Sequence, residues 1–314
     1  MVDINHPVFR MPSLLQEVIR WEQECAAHVP YLERPSGLFL GIEGDGNGYY
    51  LCSPIDSIRF ADTGMDGIHY AFLTDFDANQ DLAKVPIICV SPMDFDNAVR
   101  LVACNLRQFF QLWFSHDGWG RALLLNDFES DEAYACHIRK QMEETCASDS
   151  FDQERYHREL RAASASAVHR FGLQDISNPV EHIRWIRQQR KPCCLLPTQD
   201  GLGIMPLTSS IEKVEVEPHP WSAMDIEYED LQALDAFLSN SSIEAILSFV
   251  RDYQHQGVVH EPSLRLIGAS LQQHGFELEA KKLRDAVYPF LEQNRGGVQV
   301  LSVGMIIGEN IGGN

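Results

Sequence analysis

Positive charge is scarce in this chain: 25 lysines and arginines stand against 45 aspartates and glutamates in 314 residues, a formal net charge of −20. A field of that sign repels nucleic acid, whose partners gain affinity by neutralising phosphates, so no nucleic-acid partner is expected. Long apolar runs are missing as well. The longest, such as residues 85–90 and 298–307, fall well short of the roughly 20 residues of a membrane helix, and no membrane partner is expected. The opening Met1-Val2-Asp3-Ile4-Asn5-His6 lacks the basic segment and apolar core of an export signal, which leads to the expectation of a cytoplasmic protein. The cysteines at 25, 52, 89, 104, 136, 146, 193 and 194 match the spacing of neither a disulfide framework nor a zinc ribbon, so free structural thiols are expected. No Walker, dinucleotide-binding or His-Glu-x-x-His pattern occurs, and neither does a Gly-x-Ser-x-Gly elbow or a histidine-flanked cysteine motif. The expectations are therefore no catalytic residue, no cofactor and no metal.

What is present is the composition of a globular protein, 45% hydrophobic. The clearest fold signal runs from residue 64 to residue 112. A glycine-bracketed turn, Gly64-Met65-Asp66-Gly67, leads into residues 68–74, a β-branched and aromatic run that predicts a strand. A polar loop follows, and then residues 85–90, an apolar run closed by Ser91-Pro92, predict a second strand buried on both faces. From about Asp96, apolar residues at Val99, Val102, Leu106, Phe109, Phe110 and Trp113 recur at three-and-four spacing, predicting an amphipathic helix that covers the sheet. In the strand, Tyr70 and Phe72 alternate with His69, Ala71 and Leu73, which places the bulkier set under that helix.

GMDGIHYAFLTDFD at 64–77, VPIICVSP at 85–92 and VACNLRQFFQLW at 102–113, in this order, resemble the SUKH superfamily of immunity and scaffold proteins. The resemblance implies an α+β fold, with a SUKH-like sheet and covering helices over residues 1–120. It also implies a non-enzymatic protein-binding role, foremost immunity by occluding a bacterial toxin. Everything after about Gly120 lies outside it. The alternatives are a regulatory scaffold without a toxin partner, and a hydrolase with an unrecognised site.

Elsewhere, residues 14–29 predict a first helix with Ser13 as its cap. Residues 37–42 and 49–52 predict short strands around the glycine-rich segment 43–48, which reads as a hairpin turn because its acids would repel a phosphate. Residues 121–221 predict helices over 122–146, 151–171 and from Asn178-Pro179 to Arg190, followed by a hairpin around Asp200-Gly201 and a third strand near Val214. Residues 222–314 predict a small helical bundle over 228–238, 242–253, 262–274 and 278–291, with a last edge strand near 298–307 and a glycine-rich tail.

Charge divides unevenly: −13 over residues 1–150, +2 over 151–190 and −9 over 191–314. The positive segment either pairs with acids of the same protein or faces a partner. The acidic first part would steer a basic partner such as a toxin domain. The candidate contact group is Asp66, His69, Tyr70, Asp75 and Asp77, gathered around one strand. These residues cannot hold one metal ion, since Asp66 and Asp75 close opposite ends of an extended stretch of about 20 Å.

Overall fold

The computed structural model describes residues 9–42, 50–77, 81–95, 97–143, 152–207, 216–293 and 299–300. The fold is α+β and divides into two compact units whose segments interleave along the chain. The first unit comprises residues 1–47, 56–90 and 100–193, the second residues 48–55, 91–99 and 194–314. The later boundary thus falls between Cys193 and Cys194, in place of the divisions expected after residues 120 and 221.

The first unit carries an antiparallel sheet in the order β1 (Phe39–Leu40), β2 (Ser57–Asp62), β3 (His69–Leu73), β4 (Ile87–Val90), β5 (Val99–Ala103). Its helices are α1 (Ser13–Ala26), α2 (Leu106–Trp113), α3 (Gly120–Leu125), α4 (Asp131–Glu143), α5 (Gln153–Phe171) and α6 (Pro179–Arg190). β3 sits at the centre of the sheet and is buried on both faces. Tyr70 and Phe72 meet an aromatic cluster: Phe72 lies 4.4 Å from Phe60, and Tyr70 lies 4.9 Å from Phe109 and 5.5 Å from Trp113, ring centre to ring centre. The bulkier set therefore does face α2. Offset and edge-on aromatic pairs of this kind add to the burial energy. Trp21 of α1 continues the core, edge-on to Phe114 and Phe171.

The expected helix from Asp96 to Trp113 is a strand followed by a helix. Asn105 accepts a hydrogen bond from the Gln108 amide at 2.9 Å, and the Gln108 side chain accepts from the Cys104 amide at 2.7 Å. That reciprocal cap starts α2 at Leu106 and leaves Val99–Ala103 to pair as β5. β2 was not expected; it pairs with β3, with Phe60 inserted as a bulge between Arg59 and Ala61. α1 begins after Pro12, and Ser13 makes no capping bond. α6 does begin at Pro179, but its amides at Val180 and Glu181 are capped by the Asp131 carboxylate of α4 and not by Asn178.

The second unit holds α7 (Leu231–Asn240), α8 (Ile243–His255), α9 (Glu261–Gln273) and α10 (Glu277–Gln293), with β6 (Val258–Val259) pairing β7 (Gln299–Val300). Ser242 caps α8, Pro262 occupies the first turn of α9, and Gly275 turns the chain after it at φ 83°. The expected hairpin around Asp200-Gly201 is a single bridge, Leu196 to Ile204. The segment expected to turn at 43–48, the strand position Val214 and the residues after Val300 lie outside the described residues. α8 is the axis of this unit, with every residue from Ala245 to Gln254 buried.

Candidate partner-binding surface

The turn joining β2 to β3 is tightly constructed. The Thr63 amide donates to the Ile68 carbonyl at 3.0 Å, and the Ile68 amide donates to the Met65 carbonyl at 2.9 Å. The Thr63 hydroxyl accepts from the Met65 amide at 3.2 Å and lies 3.1 Å from the Met65 and Ile68 carbonyls. This arrangement holds Asp66 in the left-handed region at φ 51°, a conformation aspartate tolerates better than most residues. Asp66 and Met65 point outward as a result, Met65 with 61% of its surface exposed.

Phe39, on the edge strand opposite Asp62, completes the patch and is 42% exposed. Its ring packs on Gly64, where an added Cβ would fall 2.7 Å from a ring carbon. The Arg34 guanidinium covers the ring 3.9 Å from its centre. Asp62, half-buried beside Phe39, is paired with Arg59 at 3.4 Å, and burial raises its carboxyl pKa above the usual value. The Phe39 ring is thereby held between Gly64 and Arg34, and the Met65 backbone is fixed in the turn beside it.

The five residues expected to form a contact group separate. Asp66 and Asp77 are exposed. His69 is buried at 3% exposure, with Nδ1 2.9 Å from the Gly67 carbonyl, and desolvation pushes its pKa down to about 4. Tyr70 is fully enclosed in the aromatic core, and burial raises its phenol pKa well above the ordinary value. Neither can touch a partner in this fold. Asp75 is held by Arg190 of α6 through two bonds of 2.5 and 3.1 Å. Arg187 likewise binds Asp127 at 2.8 Å and the Leu101 carbonyl at 3.0 Å, and Arg184 the Phe128 carbonyl at 3.3 Å. The basic segment thus pairs inside its own unit. Met65 and Phe39 were not expected at a site; the glycine-bracketed turn was the available signal for Met65.

The second unit contains a sealed polar network. His219 Nε2 lies 2.9 Å from Asp252 Oδ2, and Asp252 Oδ1 accepts from the Gln199 amide at 2.7 Å. Trp221, Phe237 and Phe249 surround the imidazole, and histidine and aspartate are both out of solvent. A substrate cannot reach this pair; it ties the segments before α7 to α8. A groove of about 390 Å³ between α9 and α10 has Leu264, Leu283 and Val287 among its lining. Its arginines, Arg265 and Arg284, are mostly exposed. Among the described residues, no group of three histidine, cysteine or acidic side chains is placed to hold a metal ion. The described cysteines are all free thiols, three of them buried, and burial pushes Cys52 up to about 12. Among the described residues no helix is long and apolar enough to cross a membrane.

Compared with protein-family models, curated proteins and solved structures, the chain matches none of them.

Proposed function

We propose that the chain is a protein-binding module that works without catalysis, and that the Thr63–Ile68 turn with Phe39 is its contact surface. One observation carries the reading: Phe39 is exposed yet its ring is held against Gly64 and Arg34, and beside it Met65 is exposed on a turn whose backbone is fixed. A ring already ordered in the free protein, as Phe39 is, loses little conformational entropy when a partner covers it. Methionine and phenylalanine are enriched in interface cores, where they act as anchors. Exposed Asp66 and the net charge of −20 favour a basic partner and speed its approach. The resemblance of residues 64–113 to the SUKH superfamily supports immunity as the biological role: occlusion of a basic toxin domain.

The test is a paired capture. The intact chain and its Met65→Arg variant are immobilised and exposed to extract from the native cell, and retained proteins are identified by mass. A basic protein held by the parent and lost from the variant is the expected result. An acidic partner, or equal retention by both forms, would sink the proposal.

A further inference from the structure

Several arginines of the first unit are matched to acceptors. Arg190 binds Asp75, Arg187 binds Asp127, Arg100 binds the Leu125 carbonyl and Arg107 the Phe171 carbonyl. Arg121, at the start of α3, forms no ion pair with any described residue. It is a half-buried side chain whose Nε is enclosed without an acceptor. Tyr156 supplies a hydroxyl to the guanidinium, and no carboxylate is among the groups that act on it. Burial lowers its proton affinity below the ordinary arginine value.

The surroundings hold the guanidinium in place. Gly37, at φ 73°, lets it lie directly on the backbone: an added Cβ would fall 2.7 Å from Nη1 and 2.9 Å from Cζ. The Trp113 ring sits 5.7 Å from Cζ. Partly buried cations are costly unless a counter-charge meets them, and a planar guanidinium offers paired donors whose geometry matches a carboxylate or phosphate.

We propose that Arg121 is an oxyanion-binding residue, taking a carboxylate or phosphate group on guanidinium N–H groups that lack a carboxylate partner, while Gly37, Trp113 and Tyr156 fix the plane of the fork. The site is independent of the Met65 surface, which takes a basic partner.

The experiment observes the Arg121 Nε–Hε resonance of the whole chain by NMR. Parallel titrations with inorganic phosphate and with acetate are run at constant ionic strength in chloride. A saturable shift of Arg121 with either anion, with exposed Arg184 unmoved, is expected, and the anion that acts tells tetrahedral from planar ligand. Thermal midpoints should rise with that anion by mass action in the parent and not in Arg121→Gln. If that variant does not fold, the parent's titration decides alone. An unmoved Arg121 signal, a shift shared equally by Arg184, or an equal midpoint rise in Arg121→Gln overturns the proposal.

Discussion

His69 makes stability depend on acidity in a way that can be worked from its position. It begins β3, opposite Asp62 on one side and Val90 on the other, and its Nδ1 donates to the Gly67 carbonyl below the Met65 turn. Desolvation holds its pKa at about 4 against 6.5 in an open chain; the Gly67 bond works the other way, and the Arg59 charge, the smallest of the three effects, adds to the lowering. The unfolded chain therefore takes up this proton near pH 6.5, and the folded chain not until pH 4. The stabilising contribution is complete above pH 6.5 and is lost as pH falls toward 4. A difference of about 2.5 pKa units corresponds to about 3 kcal/mol. Urea denaturation at several values between pH 7.5 and 4, comparing the parent with His69→Gln, isolates this share from that of the carboxylates. The parent should lose about 3 kcal/mol more than the variant over the interval. Identical slopes in the two proteins would refute the burial of a neutral imidazole at this position.

Three further substitutions probe the packing. Phe72→Ala removes a ring from the centre of the aromatic cluster and should cost about 3 to 5 kcal/mol in chemical denaturation, an unchanged midpoint being the contrary result. Arg190→Met takes the counter-charge from the mostly buried Asp75 carboxylate and should cost about 3 kcal/mol, whereas Asp75→Leu with Arg190→Met should recover most of it, as a stability cycle will show. Asp252→Ala leaves the His219 imidazole and the Gln199 amide without their acceptor and should lower stability by about 3 kcal/mol by calorimetry; a loss under 1 kcal/mol would mean the network is not tightly held.

The central strands were readable from sequence because β3 and β4 are apolar on both faces and bounded by glycine and proline turns. The helices α8 and α9 were readable because a serine cap and a terminal glycine act within a few residues of their own position. β5 was not, because Val99 and Val102 continue the helical spacing of α2; the cap at Asn105 decides the break, and periodicity does not register a cap. β2 was missed because Arg59 and Asp62 interrupt a six-residue strand whose identity depends on pairing with β3. At the candidate site, Asp66 was legible from its turn. The roles of Asp75 and His69 were not: the arginine that holds Asp75 lies 115 residues away, and exposure on a strand is set by what packs over it. Met65 and Phe39 are sequence-distant residues made neighbours by the sheet edge, which no local pattern displays.

The account stands most directly on the contribution of Met65 to binding. Once the basic protein is identified, its dissociation constant is measured by surface plasmon resonance for the parent, for Met65→Arg and for Met142→Arg, the last altering another exposed methionine, on α4. Met65→Arg should weaken binding by about 30-fold or more, the loss of at least 2 kcal/mol typical of an anchor, with its melting point unchanged, while Met142→Arg binds like the parent. Equal affinities for Met65→Arg and the parent would show that the turn between β2 and β3 is not the surface the partner covers.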